Sequence, residues 1–124
     1  MKAPVTIVDR TFGWLLVVGG LLHAGGSWHA FQNAPSQLVW ALSGSLAALL
    51  VAALNLLRVG RPTDRPLAWV SFFASLAWFA VAVGFGAAIG HLADPRAMIH
   101  AVNAAVLAGL SLRTLVRARR GVVA

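Results

Sequence analysis

Four long apolar runs, separated by three short polar connections, cover almost the whole chain. The runs occupy residues 12–31, 37–57, 67–90 and 96–116, and the connections read QNAPS, RVGRPTDRP and HLADP. At about 1.5 Å per residue, twenty helical residues reach about 30 Å, the thickness of a bilayer's hydrocarbon core. Each connection has its own stop or start chemistry. Pro35 and Ser36 mark a turn and a candidate N-cap. Gly60, Pro62 and Pro66 interrupt helix propagation. Asp94 followed by Pro95 places a capping carboxylate before a residue suited to the first helical position. The pattern predicts an all-α integral membrane protein, a four-transmembrane-helix up-down bundle forming one domain over residues 1–124.

Composition agrees. The chain is 60% hydrophobic and 10% charged, and 124 residues enclose too little interior to hide that much apolar surface from water. The basic start before the first run resembles a secretory signal. However, the run continues past signal length, and His23, Trp28 and His29 stand where small residues would mark cleavage. The first run is therefore expected to remain as a span.

A net charge of +7 raises the question of nucleic acid. The cations do not line an amphipathic face with interleaved aromatics, so no nucleic-acid partner is expected. Lys2, Arg10, Arg58, Arg61, Arg65, Arg113, Arg117, Arg119 and Arg120 fall at the chain ends and the middle connection, and the other two connections have Arg96 alone. By the positive-inside rule both termini are cytoplasmic. There is no Cys, which excludes disulfides and thiolate sites. The lack of Cys fits either side of a bacterial inner (cytoplasmic) membrane, and heavy use of Arg, Ala, Gly and Val against a single Lys is common in GC-rich bacterial genomes.

A faint internal repeat runs through the chain. Arg10-Thr-Phe-Gly-Trp14 aligns with Arg65-Pro-Leu-Ala-Trp69, and Gly19-Gly-Leu-Leu-His23 with Ala74-Ser-Leu-Ala-Trp78. Shared residues are few, and Arg-flanked apolar helices resemble one another in any case. If the repeat is real, His23 and Trp78 are equivalent.

The chemistry is concentrated on one side. In this topology all four His and Asp94 lie in the outer half. His23, Ser27 and Ala30 share one helical face. Arg96, His100, Asn103, Leu107 and Ser111 form a stripe on the fourth run, Ser45, Ala48, Ala52 and Asn55 on the second, and Ser71, Ser75, Trp78 and Ala82 on the third. Ionisable groups inside a membrane mark functional sites by default, so His23, Ser27, His100 and Asn103 form the candidate ligand-binding set. A divalent metal would draw on His29, His91, His100 and Asp94. A haem would need His23 and His100 at one depth, although their positions in the runs differ by several Å. Packing explains several residues without a ligand. Asn55 and Asn103 suit interhelical hydrogen bonds, and Gly86 and Gly90 suit a close helix contact. Trp14, Trp28, Trp40 and Trp69 suit the interface, and Trp78 the core.

Enzyme chemistry has little to work with. The acids are Asp9, Asp64 and Asp94, and Ser27, His23 and Asp94 lack a nucleophile-elbow context. The expected function is a non-enzymatic bundle with a His-lined polar pocket for a small ligand, a metal or a haem. One alternative is a structural or accessory subunit, with a membrane-protein partner or a homo-oligomer around it. Another is a small transporter or channel protomer, with Gly19-Gly20 or Gly25-Gly26 breaking a helix at the midplane.

Overall fold

A computed structural model describes residues 3–122 of the chain, with side chains over 5–119. Lys2 and the side chain of Arg120 lie outside the described residues. Four helices, α1 (Ala3–Phe31), α2 (Pro35–Gly60), α3 (Arg65–Ala88) and α4 (Pro95–Val122), follow one another without a strand among the described residues. All four are long and apolar enough to cross a membrane. Both ends of the described chain and the 61–64 connection lie at one end of the bundle, here the terminal end. The 32–34 and 89–94 connections lie at the other, the distal end.

The boundaries depart from expectation at α1 and α4, which extend well beyond their apolar runs. Residues 3–11, read as a polar flank, are helical, and α1 is unbroken through Gly19-Gly20 and Gly25-Gly26. No midplane interruption of the transporter kind exists in it. At the start of α2, Ala34 is the cap and makes no side-chain bond, while Pro35 opens the helix. Ser36 is therefore not the N-cap. Asp64 caps α3 by accepting from the Leu67 N–H at 2.9 Å, and Asp94 accepts from the Arg96 N–H at 2.9 Å.

α1 packs closely on α2 and α3 on α4, whereas the α1–α4 and α2–α3 seams are lighter and α1 does not approach α3. This is the arrangement of two similar hairpins set side by side. Small residues permit it. A Cβ on Gly13 would stand 2.6 Å from Leu56 Cδ2, and a Cβ on Gly20 3.1 Å from Leu49 Cδ2. The expected stripes face inward. Ser45, Ala48, Ala52 and Asn55 are buried, as are Ser71, Ser75, Trp78 and Ala82. Trp14, Trp28, Trp40 and Trp69 are exposed.

The two glycines of the GxxxG pattern have different jobs. A Cβ on Gly86 would meet Ala97 Cβ at 3.2 Å and Leu92 Cα at 3.3 Å, so Gly86 is a helix-contact residue. Gly90 has φ 70°. Its N–H bonds to Ala87 O and the His91 N–H to Gly86 O, the paired bonds of a Schellman C-cap. No atom would lie within 4 Å of a Cβ there, so Gly90 is not in the packing face but forms the cap. Gly86→Ile should cost about 1–3 kcal/mol by overpacking. Asparagine separates the two sites: it tolerates the left-handed region, so Gly90→Asn should be mild and Gly86→Asn should not. The reverse order in denaturant titrations of the detergent-solubilised chain would refute this division of roles.

Candidate functional site

Two polar clusters, a part-buried distal one and a buried terminal one, lie along the bundle, with an apolar layer of Leu16, Ala48, Val51, Ala52, Ala104 and Leu107 between them.

The distal cluster joins the two hairpins. Within the first, His23 Nδ1 lies 2.8 Å from Ser45 Oγ, with the Ser27 hydroxyl 3.5 Å away. Within the second, the Trp78 indole N–H donates to His100 Nδ1 at 3.3 Å. Across them the His23 and His100 rings stand edge to face with centroids 6.4 Å apart. Both bonds span 22 residues, and both steps between the hairpins are equal, since 78 − 23 and 100 − 45 are each 55. The aligned positions His23 and Trp78 thus make equivalent bonds. The depth mismatch expected for His23 and His100 is removed by stagger. His100 is in the second turn of α4, yet it meets α1 at Gly19 and His23, two to three turns before the end of α1. The α1–α2 hairpin therefore projects further at the distal end.

His23, Ser27 and His100 are gathered as expected, and Ser45 and Trp78 complete the cluster. Asn103 is elsewhere. It is buried one turn deeper on α4, where it lines a groove between α1 and α4, and its Oδ1 has no hydrogen-bond partner among the described residues. Among the described residues nothing makes the interhelical bond expected of Asn103.

The metal set does not converge. Among the described residues no three His, Asp or Glu side chains gather to hold an ion. His29 and His91 are exposed. Asp94 is engaged by Arg96 through bonds of 2.9 and 3.0 Å. That guanidinium bond, aided by the Arg96 and Ala97 N–H groups, pulls the Asp94 pKa from 3.8 to about 2. A lowered carboxylate pKa favours the fold above pH 3.8, and the contribution disappears as pH falls toward 2. The pair therefore acts as a neutral-pH cap of α4.

Haem does not fit either. Trp N–H is donor-only, so His100 Nδ1 must hold a lone pair, and the neutral ring's proton sits on Nε2. That edge abuts α1: a Cβ on Gly19 would lie 3.1 Å from His100 Cε1 and 3.5 Å from Nε2. At His100, among the described residues, there is neither a free lone pair nor room for a macrocycle.

The terminal cluster was not expected. Arg58, read as a topology charge, is 1% exposed. Its Nη1 donates to Asp9 Oδ2 at 2.9 Å and Nη2 to Asp9 Oδ1 at 2.6 Å. Nη1 also bonds Thr114 Oγ1 at 3.0 Å, and Nη2 bonds Asn55 Oδ1 at 3.2 Å. Asn55 in turn accepts from Ser111 at 3.2 Å and donates to Ser75 at 3.0 Å, so all four helices are joined. The signal was available. Asp9, Gly13, Leu16 and Gly20 follow helical spacing, and all are buried. Arg58 falls three residues beyond Asn55 on an inward stripe. Bidentate arginine–carboxylate pairing is the strong form of this contact.

No protein-family profile, curated protein or solved structure matches the chain, so the reading of this site rests on its own geometry.

Proposed function

We propose that the protein is a non-enzymatic multi-pass protein of a bacterial inner membrane, and that the His23–His100 cluster binds a small hydrogen-bonding ligand in the outer half. The observation that carries this reading is the state of His23. Its Nδ1 is held by Ser45 and approached by Ser27, yet the residue is exposed, and Nε2 has no partner among the described residues. An imidazole edge left open in hydrocarbon costs free energy unless something from outside bonds it. A ligand that accepts from or donates to Nε2 removes that cost.

Native mass spectrometry of the chain released from nanodiscs tests this. A small molecule retained by the native chain and lost from His23→Leu is the expected result. Identical adducts on both would overturn the ligand reading. A second reading, an accessory subunit, has its own observation. Gly25 and Gly26 are exposed beside His23 on the projecting part of α1, with no atom within 4 Å of either Cβ position, a small-residue patch suited to close helix approach. A membrane protein that co-purifies with the native chain and is lost on Gly25→Ile would favour it.

Orientation follows the charges. With buried Arg58 set aside, eight of the nine terminal-end cations still oppose Arg96. Reporters fused after Ala124 or inserted near Asp64 should be active only as cytoplasmic reporters. Periplasmic activity at either position would sink the orientation.

A further inference from the structure

The outer face of α1 carries a second feature, toward the terminal end. Ile7, Arg10, Thr11, Trp14, Leu15 and Val18 line a hollow there, to which no other helix contributes, and all six are exposed. Its chemistry changes along the helix. Arg10 and Thr11 stand at the terminal end, Trp14 one turn further in, and Val18 about 12 Å beyond Arg10. Cation and hydroxyl, then indole, then aliphatic wall is the order in which a membrane protein meets headgroup, interface and acyl chain.

The polar end has donors and no acid to use them. Arg10 makes no ion pair or hydrogen bond among the described residues. The Thr11 hydroxyl lacks the bond to the carbonyl four residues back that Ser43, Ser111 and Thr114 make. The adjacent Asp9 is buried, with both carboxylate oxygens bonded to Arg58. Asp64, the other acid at this end, caps α3. A zwitterionic headgroup would find a place for its phosphate and none for its ammonium, whereas a net-anionic headgroup needs only what is present.

The second hairpin supplies an internal comparison. At the offset that relates the hairpins, Arg65 matches Arg10 and Trp69 matches Trp14, but Pro66 replaces the hydroxyl of Thr11 and Phe73 replaces Val18. Phe73 stacks on Trp69 with centroids 5.6 Å apart and the rings at 18°. Trp69 is 39% exposed against 59% for Trp14. The place beside the tryptophan is therefore filled by its own helix in α3 and left open in α1. We propose that the α1 hollow binds one anionic phospholipid, with its phosphate on the Arg10 guanidinium and the Thr11 hydroxyl and an acyl chain along Trp14, Leu15 and Val18. A guanidinium can take two phosphate oxygens at once. The inference rests on the bundle's lying in a membrane but not on the histidine cluster's having a ligand.

The test is native mass spectrometry of the full chain released from nanodiscs of equal parts phosphatidylglycerol and phosphatidylcholine with identical acyl chains. One phosphatidylglycerol should be retained in preference to phosphatidylcholine. Arg10→Gln should cut that retention about fivefold, the share of one cation at an anionic surface, and Arg65→Gln should leave it nearly unchanged. Val18→Phe keeps the charge and rebuilds on α1 the stack that Phe73 makes on α3, so it should cut retention too. All three positions are exposed, and a thermal melt like that of the native chain would show that no loss comes from unfolding. Equal retention of the two lipids by the native chain would overturn the proposal. So would equal losses from Arg10→Gln and Arg65→Gln, which would describe a diffuse basic surface rather than a site. Native phosphatidylglycerol retention in His23→Leu, whatever becomes of the other adduct, separates this site from the distal one.

Discussion

Asp9→Ala should cost the bundle about 3–5 kcal/mol, one of the two largest single-residue losses expected in this chain. The size follows from what stays behind. Arg58 is 1% exposed, so its guanidinium has little water to turn to. Removing the carboxylate leaves a buried cation with Thr114, Asn55 and, at 3.5 Å, the Leu110 carbonyl as neutral acceptors. The loss measures an abandoned charge rather than the net worth of the pair. For that reason the double variant Asp9→Leu/Arg58→Met should recover most of it, since an apolar pair of similar volume is often neutral or stabilising in such a place. Denaturant titration in mixed micelles would measure both. A single variant as mild as its double would show that Arg58 reaches solvent. The exposed Arg96 side chain is the control: Arg96→Ala keeps the Asp94 carboxylate at the start of α4 and should shift the midpoint little.

The same pair shows where sequence reasoning stopped. Hydropathy marks the part of a helix that lipid must cover, and it located the four helices and their inward stripes at Ser45–Asn55 and Ser71–Ala82. It does not mark where hydrogen bonding ends. Residues 3–11 are too polar to count as an apolar run, yet they continue the helix, because Asp9 has a buried partner on α2. Counting charges treated Arg58 as a loop residue for the same reason: the positive-inside rule sums cations near helix ends and does not ask which way each one points. The distal cluster was legible from face arithmetic, since His23 and His100 each lay on a polar stripe. Their relative depth was not. It depends on the stagger of the two hairpins, at whose α1–α4 seam Gly19 leaves room for the His100 ring. The offset of 55 residues, faint as an alignment, becomes meaningful through the matched bonds of His23 with Ser45 and Trp78 with His100.

Asn55 and Asn103 give the sharpest contrast available in one residue type. Both are buried, at 0% and 5% exposure, and both sit on inward stripes of long apolar helices. Asn55 is a hub. Its Nδ2 donates to Ser75 and to the Val51 carbonyl, and its Oδ1 accepts from Arg58 and Ser111. Asn55→Leu removes all of these, one of them charge-assisted, so a loss of about 2–4 kcal/mol is expected even though single interhelical bonds in membranes are worth less than 1 kcal/mol on average. Ser111 keeps its bond to the Leu107 carbonyl at 2.9 Å, which leaves the weakened Arg58 as the main source of the penalty. A cycle with Asp9→Ala should therefore show coupling of about 0.5–3 kcal/mol, because both changes strip acceptors from one guanidinium. Asn103→Leu deletes an oxygen that has no partner, and in the ligand-free chain it should be neutral or stabilising. The two leucine substitutions thus differ in the bonds removed rather than in the residue, the burial or the volume. Equal losses would mean that asparagine burial itself sets the cost, and that the terminal network does not hold the four helices together.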